Sequence, residues 1–106
     1  MSGVTRLTTR DSFVTFAEFL AERKAFRTGG SLYGTEWPAA GGTGELPDYW
    51  ARKFNQTEKT YVVFSYATPI AWCDVNCVWT VPDVRYSVTT SKHQSRIRTA
   101  VSYLTA

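Results

Sequence analysis

The stretch YSVTTSKHQSR, residues 86 to 96, places the chain's single histidine, His93, behind a run of hydroxyls and beside Lys92 and Arg96. A helix starting near Ser91 would leave its leading amides unpaired. With hydroxyls and cations around them, such amides form a site for a phosphate or a nucleic-acid backbone. The candidate set is Arg85, Thr89, Thr90, Ser91, Lys92, His93 and Arg96. Cations at a helix start oppose the macrodipole, at a cost of some tenths of a kcal/mol each when exposed, and a bound anion would offset that cost. The same residues suggest a second chemistry, in which His93 is the base for a hydroxyl of Thr89, Thr90 or Ser91 and is oriented by Asp83 or Asp74. No nucleophile elbow or paired carboxylate supports it, and a one-histidine nuclease without metal ligands would be unusual. The chain therefore leans towards a non-enzymatic role. Structure alone also explains part of the pattern. Ser91 and Gln94 fit a capping box, and His93, four residues before Ile97, leans towards the buried stripe of the helix.

Other chemistry-bearing patterns are sparse. Cys73 and Cys77 lie in WCDVNCVW and with His93 fall short of the four ligands of a structural zinc site, so small buried hydrophobes are the simpler expectation. Six of the seven glycines fall between Thr28 and Glu45, without the spacing of a phosphate-binding or dinucleotide-binding loop. No cofactor and no metal are expected. The net charge is +3 and the sequence pI about 9.0. Through Thr60 the charges nearly cancel, eight basic against seven acidic, whereas Val84 to Ala106 holds Arg85, Lys92, Arg96 and Arg98 and no acid. The basic surplus is a local patch that favours nucleic acid or another phosphate-bearing partner.

The elements that would position these residues follow from periodicity. With 106 residues, 43% hydrophobic and 15% aromatic, the chain is one domain, 1–106, with a ring-rich core. Phe13, Phe16, Ala17 and Leu20 recur at helical spacing, predicting a helix over about 12–26, with Arg23, Lys24 and Arg27 in its last turn and Gly29 as its stop. Residues 28–45 read as a glycine-rich loop pinned by Leu32, Tyr33 and Trp37. LPDYWARKFN predicts a short helix over about 47–54 with Leu46, Trp50 and Phe54 on one face. Ile97, Ala100, Val101 and Leu104 form the stripe of a closing helix over about 92–104. The segment between, about 61–88, reads as one long bent antiparallel hairpin turning at Asp74 to Asn76, with Cys73 opposite Cys77 and Phe64 opposite Tyr86. Pro69 and Pro82 would kink it at one level. The fold class is thus α+β. Both faces near the hairpin tip are apolar, so Trp72 and Trp79 are candidates for protein contact, and a homodimer is one way to cover them. Aromatics on strands beside basic residues could also stack bases, although they are more often core.

SYATPIAW (65–72), WTVPD (79–83) and YSVTTSKHQ (86–94), with SLYG (31–34) and ELPDYW (45–50) upstream, resemble a family of small uncharacterised proteins found mainly in bacteriophages of actinobacteria. The resemblance spans about Ser31 to Arg98 and leaves the opening helix outside. It implies a setting and no activity: a phage product in the cytoplasm of the bacterial host, of a class that often acts on host machinery. No apolar run approaches the roughly 20 residues that span a bilayer. The expected function is nucleic-acid or phosphate binding through the basic helix start. A host-protein effector using the aromatic hairpin is the alternative, and a His93 hydrolase or nuclease the third.

Overall fold

The computed structural model describes residues 4–8, 13–28, 31–38, 42–84 and 88–105. The fold is α+β, with three helices on a six-stranded mixed sheet. In chain order the elements are β1 (Thr5–Leu7), α1 (Phe13–Ala21), β2 (Phe26–Thr28), β3 (Leu32–Glu36), α2 (Asp48–Gln56), β4 (Lys59–Ser65), β5 (Thr68–Asp74), β6 (Trp79–Thr80) and α3 (Val88–Thr105). The strands lie side by side in sequence order. β1 and β2 are parallel, which requires a crossover, and α1 supplies it. Every later neighbour is antiparallel.

α1 and α3 cover one face. Phe16 and Leu20 of α1 and Ile97 and Ala100 of α3 close a core with Phe26, Leu32, Tyr61, Val63 and Ala71 from the sheet. α2 covers the other face, over Val62, Phe64 and Trp72. Its two ends differ. Pro47 is the N-cap and makes no side-chain cap bond. At the other end Lys59 Nζ donates to the carbonyls of Phe54 and Thr57 and lies 4.1 Å from the Phe54 ring centroid, a cation where the helix dipole favours one.

Two sequence expectations change here. The first helix ends at Ala21, and Phe26 belongs to a strand. Arg23 adopts a left-handed φ of 52°, Arg23 N–H donates to Leu20 O at 3.2 Å, and Lys24 N–H to Phe19 O at 2.9 Å. That is a Schellman stop with arginine in the usual glycine position, so the helix closes well before Gly29. The glycine-rich segment in turn contains β3.

The hairpin also differs. β4 turns directly into β5 through Tyr66 and Ala67, so Phe64 faces Tyr33 on one side and Pro69 on the other; Tyr86 lies outside the described residues. Pro69 is the second residue of β5, and the register shift between Val63 and Phe64 accommodates it. At the next turn Cys77 N–H donates to Asp74 O and Asp74 N–H to Val78 O, with Cys77 left-handed at φ 65°. Cys77 therefore occupies the extra, glycine-favoured position of a bulged hairpin, and Cys73 faces Trp79 instead of Cys77.

Candidate functional site

The closing helix starts at Val88, so Ser91 lies inside its first turn and does not cap it. The Gln94 side chain turns to the Pro82 carbonyl instead of back to Ser91. Arg98 reaches the same carbonyl at 3.4 Å and Asp83 at 3.9 Å, strapping the incoming segment onto the helix. Thr90, His93, Gln94 and Ile97 are all buried at helical spacing. The inward stripe therefore continues one turn further upstream, in polar residues that a hydrophobic period does not register.

The proposed anion set is consequently divided. Arg85 and the Thr89 side chain lie outside the described residues. Thr90 and His93 point inward, Ser91 is half-buried, and Lys92 is exposed. The half-buried Arg96 lies over the Phe16 ring, 5.9 Å from its centroid.

His93 Nδ1 lies 2.8 Å from Ser65 Oγ, which is 3.2 Å from Thr90 Oγ1. With Nδ1 accepting, Ser65 donates to it and receives from Thr90; with Nδ1 protonated, both bonds reverse. Either way each polar group is satisfied. Burial, and then the nearby Arg96 charge, hold the imidazole below its ordinary pKa. A neutral imidazole on a serine is the first half of a nucleophilic pair. Ser65, however, is fully buried, and among the described residues no carboxylate orients the ring. The contact is a polar strut tying α3 to the β4–β5 turn.

Above this strut lies a cleft of about 320 Å³ lined by Gly44, Glu45, Tyr66, Ala67 and Thr68, with Ser65 and Thr90 also contributing. Tyr66 is left-handed at φ 57°, 54% exposed, and tilted beside His93 at 6.4 Å between ring centroids. Thr68 Oγ1 accepts from Glu45 N–H at 2.9 Å. Glu45 in the lining brings an acidic residue to the cleft, which disfavours an anion there.

Positive charge gathers instead on the α2 side of the sheet. Arg6 pairs with Arg27, Arg27 with Tyr33, and Tyr33 with Phe64, in one row across four strands. Leu7, Phe26 and Thr28 alternate to the buried side, so both arginines face outward and are exposed. Neither has an ion-pair partner among the described residues. Like charges set directly opposite one another destabilise a strand pair. Tyr33 is half-buried, with its ring stacked on Phe64 at 5.2 Å and 14°. The sequence reading missed this row because it took Arg27 as a helix terminus and Tyr33 as a loop anchor. The available signal was the short alternation in FRT and LYGTE.

The protein-contact candidates are placed differently from the expectation. Trp72 is 1% exposed, beneath α2 and edge-on to Phe54. Trp79 is half-buried and edge-on to Tyr61 at 6.0 Å. The described residues contain no group of three His, Cys, Asp or Glu able to hold a metal ion, and no helix long and apolar enough to cross a membrane.

His93 gives the fold a pH dependence of fixed sign. Its folded pKa is depressed, so the unfolded chain binds the proton more readily, and stability rises with pH through this range. The contribution is complete above the unfolded value of about 6.5 and is lost as pH falls through the folded one. The denaturant midpoint should drop between about pH 7 and pH 5, and drop less in His93→Asn. Parallel profiles for the two proteins would show that other groups carry the effect.

No curated protein and no solved structure matches the chain. A family profile, however, aligns with residues 7–103, taking in the opening helix that the motif resemblance left out. By that match over nearly its whole length, the chain belongs to the family described as "Family of unknown function (DUF8033)".

Proposed function

We propose that this protein is a non-enzymatic binding module for single-stranded nucleic acid, engaged on the open part of its sheet. The carrying observation is the pairing of Arg6 with Arg27 beside Tyr33, two adjacent cations without a described counter-charge next to a half-exposed aromatic ring. Two guanidinium groups suit successive phosphates, and the tyrosine ring offers a stacking surface that tolerates any base. The ligand class is the one expected from the sequence; the surface is a different one, because the start of α3 turns Thr90 and His93 inward. The motif resemblance supports a setting in an actinobacterial phage, with the protein acting in the cytoplasm of its host.

The test is a fluorescence-anisotropy titration of labelled DNA and RNA oligonucleotides at two salt concentrations. Binding should weaken steeply with salt. Arg6→Ala combined with Arg27→Ala should reduce the log–log slope by about 1.4, from about 0.7 per phosphate contact on a single strand. Tyr33→Ala should weaken binding about tenfold, the loss of one stacked base. Salt-insensitive or absent binding to both nucleic acids would return the function to a host-protein partner, for which the exposed Val75 and Val78 at the β5–β6 tip offer an apolar surface.

A further inference from the structure

Arg23, Cys73 and Cys77 converge from α1 and the β5–β6 hairpin. One guanidinium nitrogen of Arg23 lies 2.5 Å from Cys77 Sγ and 3.9 Å from Cys73 Sγ. Cys77 is exposed and Cys73 buried, and both are free thiols. Among the described residues, neighbouring acids do not claim the arginine. Glu22 pairs with Lys24 at 3.1 Å, and Asp74 Oδ1 accepts from the amides of Asn76 and Val78 at 2.8 and 3.0 Å. Arg23 Nε is buried without a hydrogen-bond partner, so the guanidinium is held among the sulfurs despite an incomplete set of bonds.

The backbone sharpens the case. Arg23 closes α1 at a position that favours glycine, and Cys77 fills the glycine-favoured position of the hairpin bulge, both with positive φ. Two of the three described non-glycine residues with positive φ therefore meet side chain to side chain. Strained conformations of this kind mark places where the side chain has work that glycine could not do.

We propose that Cys77 is a peroxide-reactive thiol activated by Arg23, with Cys73 as its resolving partner. A cation in contact stabilises the negative charge that sulfur must carry to attack an electrophile. The Cys77 thiolate attacks one oxygen of a hydroperoxide: the S–O bond forms, the O–O bond breaks, and the second oxygen leaves as alkoxide or hydroxide and takes up a proton. Sulfur is oxidised by two electrons and the peroxide reduced to an alcohol or water. The neutral sulfenic acid on Cys77 frees Arg23 to act on Cys73, whose thiol burial otherwise holds protonated. Cys73 then attacks the Cys77 sulfur: the S–S bond forms, the S–O bond breaks, and hydroxide leaves with the Cys73 proton as water.

Arg23→Gly is the decisive variant, because glycine accepts the local φ and preserves the fold. Treatment of the native protein with hydrogen peroxide should remove two hydrogens from the intact mass, with a peptide map linking Cys73 to Cys77. In Cys73→Ala the product should instead be a dione-trappable sulfenic acid on Cys77. In Arg23→Gly the initial oxidation should slow by about tenfold. Equal rates in native and Arg23→Gly protein would overturn the activation. Over-oxidation of Cys77 to sulfinic acid in the native protein, with no linked peptide, would overturn the resolving role.

Discussion

Trp72→Ala should lower the stability of the fold by about 3–5 kcal/mol, the range for deleting a buried tryptophan. Against a total of about 5–15 kcal/mol for a domain, that loss leaves the native state marginal. Trp72 lies in β5, next to Val62 of β4 and Thr80 of β6, and is 1% exposed. Its ring meets Phe54 edge-on at 5.1 Å and Trp50 at 6.5 Å, and these are among the contacts by which α2 rests on the sheet. Nine residues make a helix that is not stable alone, and this one has no side-chain bond at its N-cap. Its folding free energy comes from docking. The cavity should therefore loosen α2 before the rest, visible as faster amide exchange across Asp48–Gln56 together with a lower guanidinium midpoint. Trp72→Phe separates ring volume from polarity. The Trp72 Nε1 proton is buried without an acceptor, so phenylalanine removes an unsatisfied donor while leaving a smaller cavity than alanine does, and should cost clearly less than Trp72→Ala. An equal loss in both variants would place the stabilising packing on the part of the indole that phenylalanine lacks instead of on the ring it keeps.

The elements that were legible in the sequence are those whose own residues dictate them. The stripe of Phe16, Ala17 and Leu20, the stripe of Ile97, Ala100 and Val101, and the Leu46–Phe54 face of the short helix are each an amphipathic period, and each is buried as the period requires. What was misread are backbone conformations carried by residues that do not advertise them. Arg23, Tyr66 and Cys77 take left-handed φ values where a reader of turns looks for glycine or asparagine. Arg23 stops a helix that the charge pattern extends to Phe26. Tyr66 turns β4 into β5 inside a run that reads as continuous strand. Cys77 adds a residue to a hairpin loop and so shifts the expected pairing. The start of α3 was misplaced for another reason: a polar buried face, Thr90, His93 and Gln94, has partners in Ser65 and Pro82 that are distant in sequence. His93 leans inward as its place four residues before Ile97 suggested, and the hydroxyl it meets is Ser65, far away in the sequence. The row Arg6, Arg27, Tyr33 exists only through the pairing of three strands, two of them three residues long, and short strands carry almost no pattern of their own.

Gly34→Ala should cost about 1–3 kcal/mol, the usual penalty of overfilling a core, with the upper end favoured by what surrounds the site. A Cβ on Gly34 would stand 2.2 Å from Tyr61 Oη and 2.5 Å from the Phe26 ring. Neither neighbour can swing aside into solvent, since both are 0% exposed. Tyr61 is held further, because its hydroxyl donates to the Lys24 carbonyl at 2.7 Å, and burial together with the Glu36 charge keeps that phenol protonated far above its ordinary range. The new methyl must break this bond or push Phe26, and Phe26 is the residue β2 pairs with Gly34 itself. Tyr61→Phe alone should cost about 1 kcal/mol for the lost hydrogen bond. It also removes the atom nearest the new Cβ, so the double variant should lose less than the two single losses combined, with a coupling of about 0.5 kcal/mol or more in denaturant unfolding. Strict additivity would mean that Phe26, not Tyr61, takes up the displacement. In that case β2 itself shifts, Arg27 moves relative to Tyr33, and the oligonucleotide affinity proposed for that row should fall in Gly34→Ala even where the protein remains fully folded.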